Sequence, residues 1–311
     1  VMSYGDNDEC IGELVGAENR GLAAMFTMMN NARINVGSQG VQIAERATQQ
    51  ALAYALERVQ SARAGAEDRT PVAIMDHPDV RRMLLRMRSL TEAMRGLLYY
   101  TAGQVDRGDI GDAAAKARAE VLVPMLKAWA TDTGIEVASL GIQVHGGMGF
   151  VEETGAAQHF RDARIAPIYE GTNGIQAADL VTRKLGLENG EVLQALFADI
   201  ARDAGEEAQL QALAGECAAI AKWMREDASL DDRLAGSVPF TTMCAVAVAG
   251  WCLTKQHAAL TESDDTQRAH AKKVTMRFIL DHIVPEAIGL KASATAGAAL
   301  LYELDGSVLA A

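Results

Sequence analysis

The sequence predicts an all-α chain: a four-helix bundle, a second and smaller helical domain after it, and a short β remnant ahead of both. Three observations carry this. Proline is scarce, with 6 in 311 residues, so little interrupts a helix. Hydrophobic residues make up 49% and aromatics only 5%, a balance that suits helices better than a β-sandwich rich in aromatic and β-branched side chains. Apolar residues recur three or four apart over long stretches, which is the spacing of one helix face.

Residues 1–20 stand apart from the rest. Cys10-Ile11-Gly12-Glu13-Leu14-Val15-Gly16 reads as a short strand between glycines. A lone strand cannot pair its backbone, so this segment is expected to be the end of a truncated β-domain. The bundle is expected over 21–187. Its first helix starts at Gly21 and runs to about Arg63, with Leu22, Met25, Phe26, Met29, Ala32, Val36, Val41, Ala44, Ala47 and Ala51 at helical spacing. Gly37 and Gly40 interrupt that run at up to ~1 kcal/mol each; close packing on another helix is the expected reason. A polar loop covers 64–71. The second helix starts at Pro78, a residue suited to a first turn, and ends near Gly108. The third runs from Asp112 to about Val144, with a bend expected at Pro124, and stops at Gly146-Gly147-Met148-Gly149. A short helix after Glu152 leads to a loop at Pro167. The last bundle helix takes Thr172 as its N-cap and ends near Gly186.

Leu187-Glu188-Asn189-Gly190 marks a boundary. Beyond it a helical domain is expected over 188–311, with helices near 191–204, 206–228, 238–262, 265–283 and 286–303. The apolar stretch 243–253 should be among its most buried parts, and it is too short for a membrane span.

The formal charge is -12. An acidic surface repels phosphate backbones and anionic lipid, so neither nucleic acid nor a membrane is an expected partner. Cys10, Cys217, Cys244 and Cys252 form no C-x-x-C pair, and no histidine stands at zinc spacing from them. No metal site is expected. The thiols read as buried small hydrophobes in a reducing, cytoplasmic setting.

The chemistry concentrates in residues 141–176. Glu170 stands on a turn immediately before a helix, followed by Gly171, which lets a ligand approach the backbone. The helix N-terminus favours its charged form; burial in a closed pocket favours the neutral one. On position alone, a solvated loop carboxylate would read the same. Gly146, Gly147 and Gly149 leave backbone N–H groups accessible, although a helix stop uses the same residues.

Together the segments are more specific. Gln143 to Phe150, with its Q-x-x-G-G-x-G-F pattern, and Asp162 to Thr172, reading D-A-R-I-x-x-I-Y-E-G-T, closely resemble the signature of the acyl-CoA dehydrogenase family. The resemblance covers about 1–186. The tail is similar to the extra helical domain of one branch, which includes 3-methylthiopropanoyl-CoA dehydrogenases. The resemblance implies an FAD-dependent α,β-dehydrogenation of an acyl-CoA to a trans-2-enoyl-CoA, a homo-oligomer, and an electron-transfer flavoprotein as acceptor. The alternatives are an acyl-CoA oxidase or a non-catalytic helical assembly module. Glu170 matches the catalytic base and Thr172 a flavin contact in the same subunit. Arg58, Gln143, Gly146 and Gly147 match positions that hold a neighbouring subunit's FAD. Tyr169 and Gly171 match the walls of the thioester site, and Asn30 and Arg33 positions near the CoA chain. This chain departs from the family at Asn30, where an acid is usual, at Gly174, where many members carry glutamine, and at Val59-Gln60-Ser61, where the arginine-x-x-phenylalanine pair is missing.

Overall fold

The computed structural model describes residues 2–260 and 266–309. Four helices make the bundle: α1 (Gly21–Glu57), α2 (Pro78–Asp109), α3 (Ala113–His145) and, after the short α4 (Gly147–Phe150) and α5 (Ala156–Ala163), α6 (Asn173–Thr182). α3 is central. Its residues 121–131 are buried without a break, and it packs on α1, α2, α5 and α6 at once. Such a helix needs apolar residues all round rather than on one stripe.

The glycines of α1 do meet another helix. A Cβ on Gly40 would lie 2.3 Å from the Ala130 carbonyl oxygen, and one on Gly134 would lie 2.9 Å from the Gly40 oxygen. α1 and α3 therefore cross backbone to backbone. Pro124 lies inside α3, which continues past it to His145. α1 stops at Glu57, earlier than its apolar pattern suggests. There the chain turns extended, and Val59 bridges Ala73 in antiparallel fashion, closing the 61–72 loop.

The tail holds α7 (Glu191–Asp203), α8 (Ala208–Glu226), α9 (Leu230–Ala235), α10 (Ser237–Ala258), α11 (Thr266–Phe278), a π turn (Ile279–Ile283), α12 (Val284–Gly289) and α13 (Lys291–Ala294). Its entry is marked by left-handed backbone at Glu188, Asn189 and Gly190. The ends expected at 261–262 and 265 lie outside the described residues. Residues 243–253 are buried throughout, as expected. By length and composition α10 is, contrary to the sequence reading, apolar enough to cross a membrane; here its side chains pack on α2, α3, α6 and α8. One apolar core runs from Val41 of α1 to Ala294 of α13 without a gap.

Three expectations need correction. Residues 10–16 form no strand; they run exposed, because among the described residues no second strand takes their hydrogen bonds. Cys10 is exposed on that segment, while Cys217, Cys244 and Cys252 are buried. The single helix expected over 286–303 is broken. Asp232 Oδ1 accepts the Ala298 N–H at 2.8 Å, and Gly297 turns the chain at φ +77°.

Candidate active site

The segment carrying Glu170 is a closed lasso. Asn173 N–H donates to the Pro167 carbonyl at 2.9 Å, so residues 167–173 loop out and return to the start of α6. Thr172 caps that helix, its Oγ1 accepting from Ile175 N at 3.3 Å. Two consecutive residues adopt left-handed backbone, Glu170 at φ +55° and Gly171 at φ +83°. Glycine does this freely; glutamate does not. Glu170 is half-buried, and among the described residues its amide N–H donates to no protein group. Tyr169 sends its hydroxyl to Gln39 Oε1 on α1, which fixes one side of the turn.

Beneath the lasso lies a polar cluster in an apolar core. Lys127, fully buried in α3, donates from Nζ to the Gly171 carbonyl at 2.8 Å and to Asn173 Oδ1 at 2.9 Å. Burial pushes its pKa down to about 8. Asn173 is itself oriented, its Nδ2 donating to Ala128 O at 3.0 Å and Thr131 Oγ1 at 2.9 Å. Arg33 faces Asp179 at 3.9 Å, both buried, and Arg183 takes the other Asp179 oxygen. Arg33 Nε and Gln176 Oε1 are buried with no hydrogen-bond partner among the described residues. Such orphaned atoms cost free energy unless a ligand or water satisfies them. Asn30 and Arg33 line a cavity of about 330 Å³ with Lys116, Asp179 and Lys184.

A second group gathers at the other end of α3. Arg58, Gln143 and Gly146 line one cleft of about 370 Å³ with Tyr54, His77 and His145. Gly146 ends α3 at φ +61°. Gly149 packs so closely that a Cβ would sit 2.3 Å from the Ile142 carbonyl oxygen, whereas a Cβ on Gly147 would meet nothing within 4 Å. A Cβ on Gly146 would likewise meet nothing within 4 Å, so Gly146 and Gly147 both keep open space beside their backbone. His145 stacks on Tyr54 at 4.5 Å between centroids and shares a 2.7 Å contact between Nδ1 and the Gly141 carbonyl, a packing role. From Lys127 to Gln143 α3 advances 16 residues, or ~24 Å. The structure therefore gathers the residues named from the sequence into two groups: Asn30, Arg33, Tyr169, Glu170, Gly171 and Thr172 near the lasso, and Arg58, Gln143, Gly146 and Gly147 far from it.

Lys127, Asn173, Gln176 and Asp179 were not singled out from the sequence. For Lys127 a signal exists: it is the one charge in the run 121–130, otherwise Val, Leu, Pro, Met, Ala and Trp.

Residues 19–185 match the family described as "Acyl-CoA dehydrogenase, C-terminal domain", and residues 192–305 match "Acetyl-CoA dehydrogenase C-terminal like". The chain is 44% identical to a 3-methylmercaptopropionyl-CoA dehydrogenase of Ruegeria pomeroyi, over 92% of this chain and 52% of that protein. It is 30% identical to a broad-specificity linear acyl-CoA dehydrogenase of Mycobacterium tuberculosis, over 79% of this chain and 45% of that protein. The chain thus spans about half the length of these relatives. In fold it is similar to a Bacillus anthracis acyl-CoA dehydrogenase solved with FAD, with a TM-score of 0.73 and 19% identity over 94% of this chain and 52% of that one.

Proposed function

The chain belongs to the acyl-CoA dehydrogenase family, and from that membership we propose that it is the helical half of an enzyme that dehydrogenates an acyl-CoA thioester at its α and β carbons. The observation that carries the reading is the Glu170 turn: a half-buried carboxylate held in left-handed backbone, with its own amide unclaimed, at the mouth of a buried polar cluster. In this reading a Glu170 carboxylate oxygen takes the α-proton, a Cα=Cβ double bond forms, and the β-hydrogen leaves as hydride. The unclaimed Glu170 N–H is a donor for the thioester oxygen as charge develops there; one such donor is worth roughly 3–4 kcal/mol at the transition state. Asn30 and Arg33 face the CoA chain, with the orphaned Arg33 Nε offering one more donor. Tyr169 and Gly171 wall the thioester.

The residues present fit FAD. Gly147 has open backbone, Arg58 and Gln143 share a cleft with Gly146, and Thr172 stands beside the base. FAD, when bound, would supply the hydride acceptor. Arg58, Gln143, Gly146 and Gly147 would hold it from a neighbouring copy, and Thr172 within the same copy. An electron-transfer flavoprotein is the proposed onward acceptor; oxygen uptake without an added acceptor would instead identify an oxidase. The test is anaerobic stopped-flow bleaching of the flavin band by acyl-CoA in the whole enzyme carrying these residues. Glu170→Gln should slow bleaching ~10²–10⁴-fold with flavin still bound. Near-normal bleaching would remove Glu170 from the role.

A further inference from the structure

Position 127 poses a physical problem. The neighbouring side chains of α3 are apolar, and a methionine or leucine there would fill the core without burying a charge. Lys127 is instead fully buried, and its two hydrogen-bond acceptors, the Gly171 carbonyl at 2.8 Å and Asn173 Oδ1 at 2.9 Å, are both neutral. A buried ammonium with neutral acceptors is a poor stabiliser of a fold. Its bonds lead to one place. The Gly171 carbonyl belongs to the second of two consecutive left-handed residues, and the first is Glu170. A turn with two consecutive left-handed residues, one of them not glycine, persists only where its neighbours hold it, and the Gly171 carbonyl held by Lys127 belongs to the peptide that leaves this pair for Thr172. The carbonyl it holds is also within reach of Gln176 Nε2, at 3.5 Å. Asn173 presents its oxygen to Lys127 because its amide nitrogen is taken by Ala128 O and Thr131 Oγ1. All these anchors stand on α3 or the first turns of α6.

We propose that Lys127 is the positioning residue of the Glu170 turn: its ammonium pins the Gly171 carbonyl from below, and so holds Glu170 in the left-handed backbone that aims its carboxylate and leaves its amide free. The inference rests on the reading of Glu170 as the base. It assigns Lys127 no contact with substrate or cofactor and no proton transfer. Misplacing a reacting group by about 1 Å is worth ~10²-fold in rate, so loss of the clamp should act on the chemical step and leave ligand binding alone.

The test pairs two measurements on Lys127→Met and Asn173→Ala. In this chain, hydrogen–deuterium exchange should quicken at least about tenfold in peptides covering 168–173 while peptides of α3 keep their protection. In the whole enzyme, the limiting rate of flavin reduction should fall roughly 10–100-fold for Lys127→Met, and less for Asn173→Ala, with acyl-CoA Kd and flavin content unchanged. Lys127→Gln, which keeps an N–H donor, should recover part of that rate; a purely volumetric role would leave it as slow as Lys127→Met. Glu170→Gln, run beside them, separates the two ideas. Fast reduction in Glu170→Gln would sink the base assignment. Slow reduction in Glu170→Gln with wild-type rates in Lys127→Met would sink the clamp, as would unchanged exchange at 168–173. If Lys127→Met does not fold, Asn173→Ala decides by the same two readouts.

Discussion

Glu170 pays for its place in backbone strain: a non-glycine residue at φ +55° costs on the order of 1–3 kcal/mol. The turn would relax if that residue could be glycine, so Glu170→Gly should stabilise or leave unchanged the melting temperature of this chain while abolishing any proton removal; clear destabilisation would show that the carboxylate, not the turn, holds the fold. Lys127 carries a stability signature of its own. Its pKa falls from 10.5 to about 8, first through burial and then through the positive charge of Arg33, while Asp132 and Glu170 oppose the fall. Between those two values the unfolded chain binds more protons than the folded one. Stability should therefore rise with pH through pH 8–10.5, by up to roughly 3 kcal/mol, and Lys127→Met should flatten that part of the profile. Urea melts of both proteins across the window measure it; identical slopes would contradict the buried charge. The turn at Glu170 and the Thr172 cap were legible in the sequence because their cues are local: a glycine behind a carboxylate, a hydroxyl ahead of an apolar run. The Lys127 clamp was not, because its partners lie 44 and 46 residues away and no periodic pattern encodes that pairing.

Helix starts and crossings follow from short-range chemistry, and most of them could be read. Pro78 and Thr172 open α2 and α6 as their residue types suggest. Gly37 and Gly40 announced a close crossing, although their partners, Leu126 and Ala130, could not be named beforehand. That crossing makes a prediction. Gly40→Ala places a methyl on the Ala130 carbonyl, so α1 or α3 must shift, at ~1–3 kcal/mol; chemical denaturation should show it, and a loss under about 0.5 kcal/mol would mean that the helices are not in backbone contact there. The failures at this scale have tertiary causes. α9 was missed although Ser229 and Asp232 form a capping box, because six residues are too few to show a period. The stretch 286–303 has helical spacing, yet helix stops at Gly289 and again at Ala294, and the Asp232 carboxylate from α9 takes the Ala298 amide just beyond.

Across the whole molecule, α10 joins what the composition separates. It touches α2, α3 and α6 of the bundle and α8 of the tail, so bundle and tail share one core; a boundary cue such as the 187–190 turn says nothing about which faces meet. Apolar side chains are also left uncovered around both site groups: Leu22, Met28, Ile165, Ile168 and Ile175 at the lasso end, Leu56, Met148 and Phe150 at the other. Exposed groups of this kind mark surfaces that meet another chain or element. With the two groups ~24 Å apart along α3, one copy cannot close both around a single reacting atom. This chain made alone is therefore expected to self-associate; because it spans only about half the length of the relatives it matches, it is also expected to purify colourless. Sedimentation and an absorbance spectrum on one sample check this, and a yellow, stoichiometrically flavinated preparation would contradict it. The central claim, that Glu170 removes the α-proton, is tested most directly by exchange at that carbon. An acyl-CoA deuterated at Cα, incubated with the whole flavinated enzyme in ordinary water, should lose its label in the wild type and ~10²–10⁴-fold more slowly in Glu170→Gln; equal washout in both would show that another group is the base.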